Sequence, residues 1–383
     1  MEKMIINGFC DEKFGLVFEE FERNFTERED VGASFCATIE GEVVIDLWGG
    51  YRDKARSKPW EQDTIVNVFS STKPFYFLAI AILADQGRLN YHDKVIKYWP
   101  EYGQKGKQDT EIRHFLSHSA GLPGFGKQLS LEDICDWDLV ISILEEQEPW
   151  WEPGAMAHYH ALTQGFLVGE IIKRVTDQSL GTFVQKAITE PLKTDFHIGL
   201  SRDVFPRVAT TLLPPPHPNN SENKKSISKR SNPFEGRVEG HPTCMPAETN
   251  SDLWRLAEVP GGNGHGNARS IARVASLIAN AGKVDGITLL SEDGIKHMLE
   301  PQIMMGDVEL GMGPGLNSER WGGPKGAKVS WWGGHGGSTN FADLSNRVGL
   351  SFVMNQMNYD IVGGPRGESL HRGFYKSLDF QKN

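Results

Sequence analysis

The chain has 383 residues, of which 39% are hydrophobic and 10% aromatic, a composition typical of a globular protein and not of a disordered one. Its formal net charge of −10 argues against nucleic acid and anionic membrane surfaces as partners, because both repel an acidic protein. Four scattered cysteines without a C-x-x-C pair favour a reducing compartment and offer no zinc framework. The charged N-terminus lacks an apolar leader and no later apolar run is long enough to span a membrane, so we expect a cytoplasmic protein.

The N-terminal part of the chain predicts a helix, a hairpin and a second, apolar helix. Apolar positions at helical spacing predict an amphipathic helix over Gly15–Asn24. Two β-rich runs, Ala33–Ile39 and Val43–Trp48, predict a hairpin. The continuous apolar run Phe75–Leu83 then predicts a buried helix.

The middle of the chain predicts further helices. Ile112–Gly124 predicts a short helix broken at Gly121 and Pro123, and longer helices are predicted over Leu131–Glu146 and Leu162–Val175. A helix-rich centre between β-rich ends indicates an inserted helical lobe.

A change of composition at 212–237 predicts a long loop or flap. Three prolines are followed by asparagine, serine, lysine and arginine, with few apolar residues. We interpret its basic residues as a solvated face, with contact to substrate as the alternative. They are Lys224, Lys225, Lys229 and Arg230.

The C-terminal part returns to strand patterns between two helices. Asn267 is a predicted N-cap of a helix that continues through Ile278, and the tail Pro365–Leu378 predicts a closing helix. The strand-like runs between them are Val329–Trp332, Phe341–Leu344 and Val348–Asn355.

This order of elements predicts an α/β protein of the α+β kind. Strands at both ends predict one central antiparallel sheet, in a domain made of residues 1–69 and 262–383. Residues 70–261 form the predicted helical lobe, and we expect the active site between the two.

Ser70 and Lys73 form the first candidate site. Residues three apart share one face of a helix, so the lysine amine can lie beside the serine hydroxyl. A desolvated lysine with a lowered pKa can take the proton that a serine nucleophile must lose. The structural alternative is an N-cap serine with a lysine nearby.

Tyr159 is the second candidate, on a turn that precedes a predicted helix. A neighbouring lysine charge favours the phenolate, so we expect a lowered pKa for Tyr159. The phenolate could then act as a general base towards Ser70 and later as an acid towards the leaving group. A half-buried tyrosine with a satisfied hydroxyl is the alternative.

A glycine-rich stretch at a strand edge, from Trp332 to Thr339, is the third candidate. Glycines let a substrate carbonyl approach the backbone, so a strand N–H could bind an oxyanion together with the N–H of Ser70. We expect the second donor at Gly337 or Ser338. An ordinary glycine-rich turn is the alternative.

Together these stretches resemble the active site of the serine β-lactamase and penicillin-binding-protein superfamily. Ser70-Ser71-Thr72-Lys73 matches S-x-x-K, Tyr159-His160-Ala161 stands where those proteins have Y-x-N or S-x-N, and His335-Gly336-Gly337 stands where they have K-T-G. Ile112–Leu122 and Gly264–Ser270 resemble flanking segments of the same proteins. The resemblance extends over nearly the whole chain and implies a β-lactamase/transpeptidase-like fold.

Departures from the motifs point to one branch of that superfamily. Ala161 replaces an asparagine, His335 a lysine and Gly336 a threonine, so the polar anchors for a β-lactam are missing. This pattern is similar to family VIII carboxylesterases and related acyltransferases of the class C-like group. The resemblance implies a serine hydrolase of carboxylic esters, most simply with short acyl chains, that forms an acyl-enzyme on Ser70.

The resemblance also implies roles for the other site residues. Lys73 and Tyr159 would share the proton transfers, and deacylation would fall to Tyr159, since no counterpart of the class A glutamate is identified. His335 would shape the pocket and donate a hydrogen bond to the substrate or to Tyr159. Trp332 and His160 complete the expected substrate-binding residues.

Other functions are compatible with parts of the same pattern. The same residues could serve a β-lactamase, a D-amino-acid peptidase or an acyltransferase, and a non-catalytic scaffold could keep the fold. No G-x-S-x-G elbow and no H-E-x-x-H pair occur, which disfavours an α/β-hydrolase and a metal enzyme. We expect no metal and no cofactor, and a small-molecule ester or amide as substrate.

Overall fold

The structure is a computed structural model that describes residues 5–215, 246–317, 323–359 and 363–378. The strands of this part of the chain are β1 (Ile6–Cys10), β2 (Gly32–Ile39), β3 (Glu42–Gly50), β4 (Val66–Asn67), β5 (Phe196–Ile198), β6 (Gly264–Gly266), β7 (Lys283–Val284), β8 (Ile287–Thr288), β9 (Ile303–Met305), β10 (Val308–Leu310), β11 (Val329–Gly333), β12 (Thr339–Asp343) and β13 (Val348–Met354). The α-helices are α1 (Gly15–Thr26), α2 (Lys73–Asp85), α3 (Ile112–Leu116), α4 (Leu131–Cys135), α5 (Trp137–Glu146), α6 (Thr163–Thr176), α7 (Leu180–Val184), α8 (Glu190–Leu192), α9 (Pro246–Thr249), α10 (Asp252–Leu256), α11 (Ala268–Ala279), α12 (Glu292–Met298) and α13 (Gly364–Ser377).

Strands from the two ends of the chain form one six-stranded antiparallel sheet. Its order is β1-β3-β2-β13-β12-β11, so the N-terminal and C-terminal strands meet where β2 pairs with β13. Both of these central strands are buried along almost their whole length, because helices cover both faces of the sheet. Residues of β13 show the two covered faces. On one face, Gly349 lies against α11, where an added Cβ would be 2.6 Å from the Ser276 nitrogen. On the other face, Phe352 lies near Gly367 of α13.

Helix α2 is the centre of the helical lobe. Every residue from Lys73 to Leu83 is buried, which explains an apolar run with no polar face. Its Tyr76 hydroxyl donates to Gln164 of α6 at 2.9 Å, and α12 packs against it as well.

A short sheet ties the start of α2 to the region before α11. Its order is β4-β6-β5, and β4 leads directly into the segment that carries Ser70. The Gly264 N–H donates to Thr72 Oγ1 at 3.0 Å, and an added Cβ on Gly264 would lie 2.3 Å from the same oxygen. Only glycine therefore lets β6 approach the first turn of the Ser70 segment this closely.

Most predicted elements are present, and the structure adds short strands (β4 to β10) and helices (α7 to α10 and α12) that the sequence patterns do not predict. Three further regions differ for reasons that the structure shows. Strand β1 was missed, because its residues are mostly exposed and show no alternation of apolar and polar side chains. The helix predicted over 131–146 is two helices that part at Asp136, whose carboxylate caps α5 by accepting from the Leu139 N–H. Helix α3 ends at Leu116, well before the predicted break at Gly121. By contrast, the predicted N-cap at Asn267 is confirmed by its hydrogen bond from the Ser270 N–H.

The predicted sheet and inserted helical lobe match the structure, while the exact domain limits, 1–69 with 262–383 and 70–261, stay a prediction. Most of the predicted loop, including its basic residues, and Cys244 lie outside the described residues. Within the described ranges, none of the helices combines the length and the apolar character that crossing a membrane requires.

A buried ion pair fixes the end of the chain to the strands of the sheet. Arg366 of α13 donates to the carboxylate of Asp30, and both side chains are almost completely buried. The same guanidinium donates to the Gln356 carbonyl at 2.9 Å and to the Gly336 carbonyl at 3.5 Å. Arg366 thereby links the segment before β2 to the glycine-rich turn that follows β11.

We expect Asp30→Asn to lower the free energy of unfolding by about 3 kcal/mol, because the buried guanidinium loses its counter-charge. Urea unfolding followed by circular dichroism measures the change. Glu368→Gln is the matched control, since it removes a carboxylate from an exposed pair with Arg372 on the same helix. The control should cost less than about 0.5 kcal/mol. Equal shifts for the two variants would contradict the role assigned to the buried pair.

Candidate active site

Ser70 lies in a strained 3₁₀ turn, Phe69–Thr72, that leads into α2. The residue before it, Phe69, has a φ of 49°, which is rare for an aromatic side chain and is typical of strain stored at a functional position. Ser70 itself is partly exposed while its neighbours on both sides are buried. The turn thus presents one hydroxyl at the edge of the core.

Lys73 is fully buried beneath Ser70 and makes three hydrogen bonds. Its Nζ donates to Ser70 Oγ at 3.3 Å, to the Ala161 carbonyl at 2.8 Å and to the Gly261 carbonyl at 2.8 Å. Three acceptors match the three N–H groups of an ammonium. The backbone carbonyls of Ala161 and Gly261 therefore hold the lysine without an asparagine side chain.

Tyr159 reaches Ser70 from the other side. Its hydroxyl donates to Ser70 Oγ at 2.7 Å, and its ring lies 5.2 Å from Lys73 Nζ. The structure thus brings together the three side chains that the sequence singled out. The expected lowering of the Tyr159 pKa is wrong, however, because burial raises the pKa of Tyr159 to about 12. Hydrogen bonds with Ser70 and Trp332 only partly oppose this effect of burial.

Trp332 is the side chain of β11 that contacts Tyr159. The two ring centres are 6.1 Å apart, so the indole packs beside the tyrosine. His335, expected to donate to the substrate or to Tyr159, has its ring centre 5.6 Å from that of Phe69. Its hydrogen bond to a substrate stays a prediction. Burial lowers the pKa of His335, so its imidazole is neutral at pH 7.

The turn after β11 occupies one of the two expected oxyanion donors, Gly337, while the Ser338 N–H stays a prediction. The Gly337 N–H donates to the Gly334 carbonyl at 3.0 Å and is therefore occupied within the turn. Gly336 and Gly337 both have positive φ, and an added Cβ would meet Met357 or Asn358, so the turn itself requires glycines here.

Gly334 is the glycine that faces the nucleophile segment. An added Cβ there would lie 2.2 Å from the Val68 carbonyl oxygen and 3.3 Å from the Ser71 nitrogen. The Ser338 hydroxyl donates to the Val68 carbonyl at 2.8 Å and bonds to the Ser71 hydroxyl at 2.9 Å. The Ser338 hydroxyl thus connects the turn to the Ser70 segment through hydrogen bonds, and it is not directed towards a substrate.

His160 is also a structural residue and not a substrate contact. It is fully buried, its Nδ1 bonds to the His158 carbonyl at 2.6 Å, and its Nε2 accepts from the Leu122 N–H at 3.1 Å. Both ring nitrogens are therefore used within the protein. Burial lowers the pKa of His160 to about 3, so the ring stays neutral.

Two residues of the site, His118 and Gly261, were not predicted from the sequence. The Gly261 carbonyl accepts from Lys73, a backbone role that leaves no trace in a side-chain motif. His118 lies within a stretch that the family resemblance did mark, but nothing in its spacing indicated contact with Tyr159. Its ring centre is 5.0 Å from that of Tyr159.

This arrangement can carry out nucleophilic catalysis without a metal. Within the described ranges, no three His, Cys, Asp or Glu side chains are gathered as metal ligands would be. One hydroxyl contacts one amine and one phenol, so a proton can leave Ser70 and return to a leaving group through its neighbours.

Comparisons with known proteins agree with this geometry. A family model described as Beta-lactamase matches residues 21–365. The chain is 30% identical over 365 residues to Esterase/beta-lactamase LipL of Mycobacterium tuberculosis (strain ATCC 25618 / H37Rv), covering 93% of this chain and 84% of that one.

Two solved structures are similar over almost the whole chain. One is a family VIII carboxylesterase, with a TM-score of 0.90 and 36% identity, covering 98% of this chain and 100% of the other. The second is a penicillin-binding protein homologue from Caulobacter crescentus, with a TM-score of 0.86, 34% identity and the same coverage. The predicted family resemblance and the predicted fold class are confirmed.

Removing the Tyr159 hydroxyl should abolish most of any Ser70-dependent reaction. We expect Tyr159→Phe to lower kcat by roughly 10²- to 10⁴-fold, the usual contribution of a general acid or base. Steady-state kinetics with p-nitrophenyl butyrate measures this. Tyr98→Phe is the control, because it removes a hydroxyl that donates to Asp93 at the surface. A Tyr159→Phe variant as active as the control would remove Tyr159 from the mechanism.

The raised pKa of Tyr159 has a consequence for pH dependence. With a pKa of about 12, the phenolate is scarce at neutral pH and its fraction rises tenfold with each pH unit. If the phenolate is the base, kcat/KM should increase from pH 7 to pH 9 without a plateau. The increase should be absent in Tyr159→Phe. A profile with its maximum near pH 7 would contradict a phenolate base.

Proposed function

The chain belongs to the β-lactamase family, and we propose that it is a serine hydrolase that cleaves carboxylic esters through an acyl-enzyme on Ser70. One observation carries the proposal. Ser70 Oγ lies 2.7 Å from the Tyr159 hydroxyl and 3.3 Å from Lys73 Nζ, so either group can take the Ser70 proton once the pair has lost one of its own.

Acylation begins with attack of Ser70 Oγ on the ester carbonyl carbon. The reactive form is the one in which the Lys73–Tyr159 pair has lost one proton. As the oxygen–carbon bond forms, the Ser70 proton passes to this pair. The pair then gives the proton to the leaving alkoxide as the ester carbon–oxygen bond breaks, which releases the alcohol and leaves the acyl group on Ser70.

Deacylation reverses the proton transfers with water as the nucleophile. Tyr159 is the group whose hydroxyl already contacts Ser70 Oγ, so it is in place to take a proton from water near the acyl carbon. Ser70 regains the proton as the acyl bond breaks and the carboxylic acid leaves. With an alcohol in place of water, the same step is an acyl transfer.

Backbone N–H groups bind the oxyanion that forms in both steps. The N–H of Ser70 and the N–H of His335 donate to no other group in the described part of the chain. Gly334 allows the chain entering His335 to pass close to the nucleophile segment. Two such donors directed at one oxygen are the usual way to stabilise a tetrahedral intermediate.

A neutral ester suits this site better than a β-lactam. Ala161 offers only its carbonyl, which is used by Lys73, so no side-chain amide is available at this position to bind a substrate amide. Trp332 places an apolar ring beside Tyr159 at the end of β11. The relatives include proteins named as an esterase/β-lactamase and as a family VIII carboxylesterase, which supports an ester substrate. A short acyl group is part of the proposal.

A β-lactamase or D-amino-acid peptidase activity is the second candidate. The name of the M. tuberculosis relative includes β-lactamase, and both reactions would use the same acyl-enzyme on Ser70. A non-catalytic scaffold is a third, and the intact contacts of Ser70 with Lys73 and Tyr159 argue against it.

A paired assay separates these functions. Purified protein should hydrolyse p-nitrophenyl butyrate much faster than nitrocefin, and Ser70→Ala should lower the ester rate by at least ~10³-fold, because the nucleophile is gone. Ser57→Ala, which removes an exposed hydroxyl that bonds to Asp53, is the control and should keep the full rate.

Other outcomes of this assay count against the ester hydrolase. Rapid nitrocefin turnover with slow ester cleavage would favour the β-lactamase. Full ester activity in Ser70→Ala would refute the proposal. No turnover of either substrate, and no labelling by a fluorophosphonate probe, would favour the scaffold.

A further inference from the structure

His118 accepts hydrogen bonds from the residues immediately before and after Tyr159. The N–H of His158, the residue before Tyr159, donates to the His118 carbonyl at 3.0 Å. The N–H of His160, the residue after it, donates to His118 Nδ1 at 3.1 Å. One residue therefore accepts from both neighbours of the tyrosine.

The ring of His118 also packs on the catalytic aromatic rings. Its centre lies 5.0 Å from the ring of Tyr159 and 5.5 Å from the ring of Trp332, the latter nearly parallel at 25°. The side chain is completely buried. His118 thus contacts Tyr159 through its ring and holds the flanking backbone through hydrogen bonds.

The backbone of His118 is in an unusual conformation. Its φ is 57°, in the left-handed region that few residues other than glycine adopt, although histidine, asparagine and aspartate enter it more often than most. Such a conformation costs free energy and persists only where the surrounding contacts require it. Here the left-handed turn lets the carbonyl and the ring of one residue face the same short segment, 158–160.

The ring of His118 stays neutral, so the hydrogen bond that its Nδ1 accepts does not depend on pH. Burial lowers the pKa of His118 well below its usual value, so the ring is neutral. Because Nδ1 accepts from the His160 N–H, the proton is on Nε2. No group of the described residues pairs with Nε2, so Nδ1 is the ring atom whose hydrogen bond fixes the orientation.

We propose that His118 is a positioning residue that keeps the Tyr159 hydroxyl within hydrogen-bond distance of Ser70 Oγ. This inference rests on the proposed function, in which Tyr159 handles the proton of Ser70. Every substitution keeps the backbone carbonyl of residue 118, so without the imidazole the segment 158–160 loses one hydrogen bond, to Nδ1, and one packing ring. A displacement of about 1 Å at a catalytic group can lower the rate by ~10²-fold.

Asparagine and glutamine at position 118 make a matched pair of variants. The Oδ1 of asparagine can occupy the place of Nδ1, and asparagine tolerates a left-handed backbone. The Oε1 of glutamine reaches instead towards the place of Nε2. We expect His118→Asn to keep kcat within about fivefold of the wild type, and His118→Gln and His118→Ala to lose ~30- to 100-fold, with KM changed less than about threefold.

A double-mutant cycle with Tyr159→Phe tests whether His118 acts through the tyrosine. In the Tyr159→Phe background, His118→Ala should lower kcat by less than about threefold, since the group it positions is already gone. His114→Ala is the control, because His114 Nδ1 also accepts a backbone N–H, from Glu111, but away from Tyr159. Its effect should be the same in both backgrounds.

Three results would overturn the proposal. They are equal losses from His118→Ala with and without the Tyr159 hydroxyl, full activity in His118→Ala, and His118→Gln as active as His118→Asn. If His118→Ala does not fold, the asparagine and glutamine variants decide.

A crystal structure of each variant gives a readout that does not depend on activity. The Tyr159 Oη to Ser70 Oγ distance should stay below 3.2 Å in His118→Asn and exceed 3.5 Å in His118→Gln, limits set by hydrogen-bond geometry. An unchanged distance in His118→Gln would refute the positioning role. If the wild type shows no Ser70-dependent turnover, the proposed function fails and this distance still tests the positioning.

Discussion

The buried amine of Lys73 is the constraint on which the active site depends. A charged amine in the core must find an acceptor for each of its protons, or its burial costs several kcal/mol. Its three partners are Ser70 on its own turn, the Ala161 carbonyl beside Tyr159 and the Gly261 carbonyl before β6. Satisfying one lysine therefore brings three distant segments of the chain to one point. The nucleophile, the tyrosine turn and the short sheet are positioned together because all three contact this amine.

A second set of contacts closes the other side of the site. The turn after β11 is held by the Ser338 hydroxyl on Val68 and Ser71, and by the Arg366 guanidinium on the Gly336 carbonyl. These groups are buried and hydrogen-bonded to the backbone, so they fix the turn and take no part in the reaction. In the proposed mechanism the reacting groups are few, and most polar side chains around them serve as supports.

The sequence predicts the parts of this site that rest on local geometry. Ser70 and Lys73 touch because residues three apart share a helix face, and the apolar run after them predicts the buried helix α2. The hairpin and the cap at Asn267 follow from equally local patterns. The resemblance to a known family supplied what local patterns could not, namely that Tyr159, distant in sequence, meets the same serine.

Properties that depend on the surroundings of a residue were predicted poorly. The raised pKa of Tyr159 reflects burial, which a motif does not reveal and which its hydrogen-bond partners only partly oppose. His160 and Gly337 match motif positions, yet their polar groups are used within the protein. Gly261 acts through its backbone carbonyl, and His118 through both its carbonyl and its ring, so no side-chain pattern identifies them. Such roles require the packing of segments that are far apart in the chain.

In the proposed mechanism Ser70 carries the acyl group, and trapping the acyl-enzyme distinguishes this mechanism from its alternatives. Protein mixed with p-nitrophenyl butyrate is quenched in acid within milliseconds and analysed by intact-protein and peptide mass spectrometry. We expect a single butyryl group on the peptide that contains Ser70, located on Ser70 itself, and none in Ser70→Ala. A butyryl group on Ser71 or another residue, or ester turnover with no acylated protein at any time point, would contradict this mechanism.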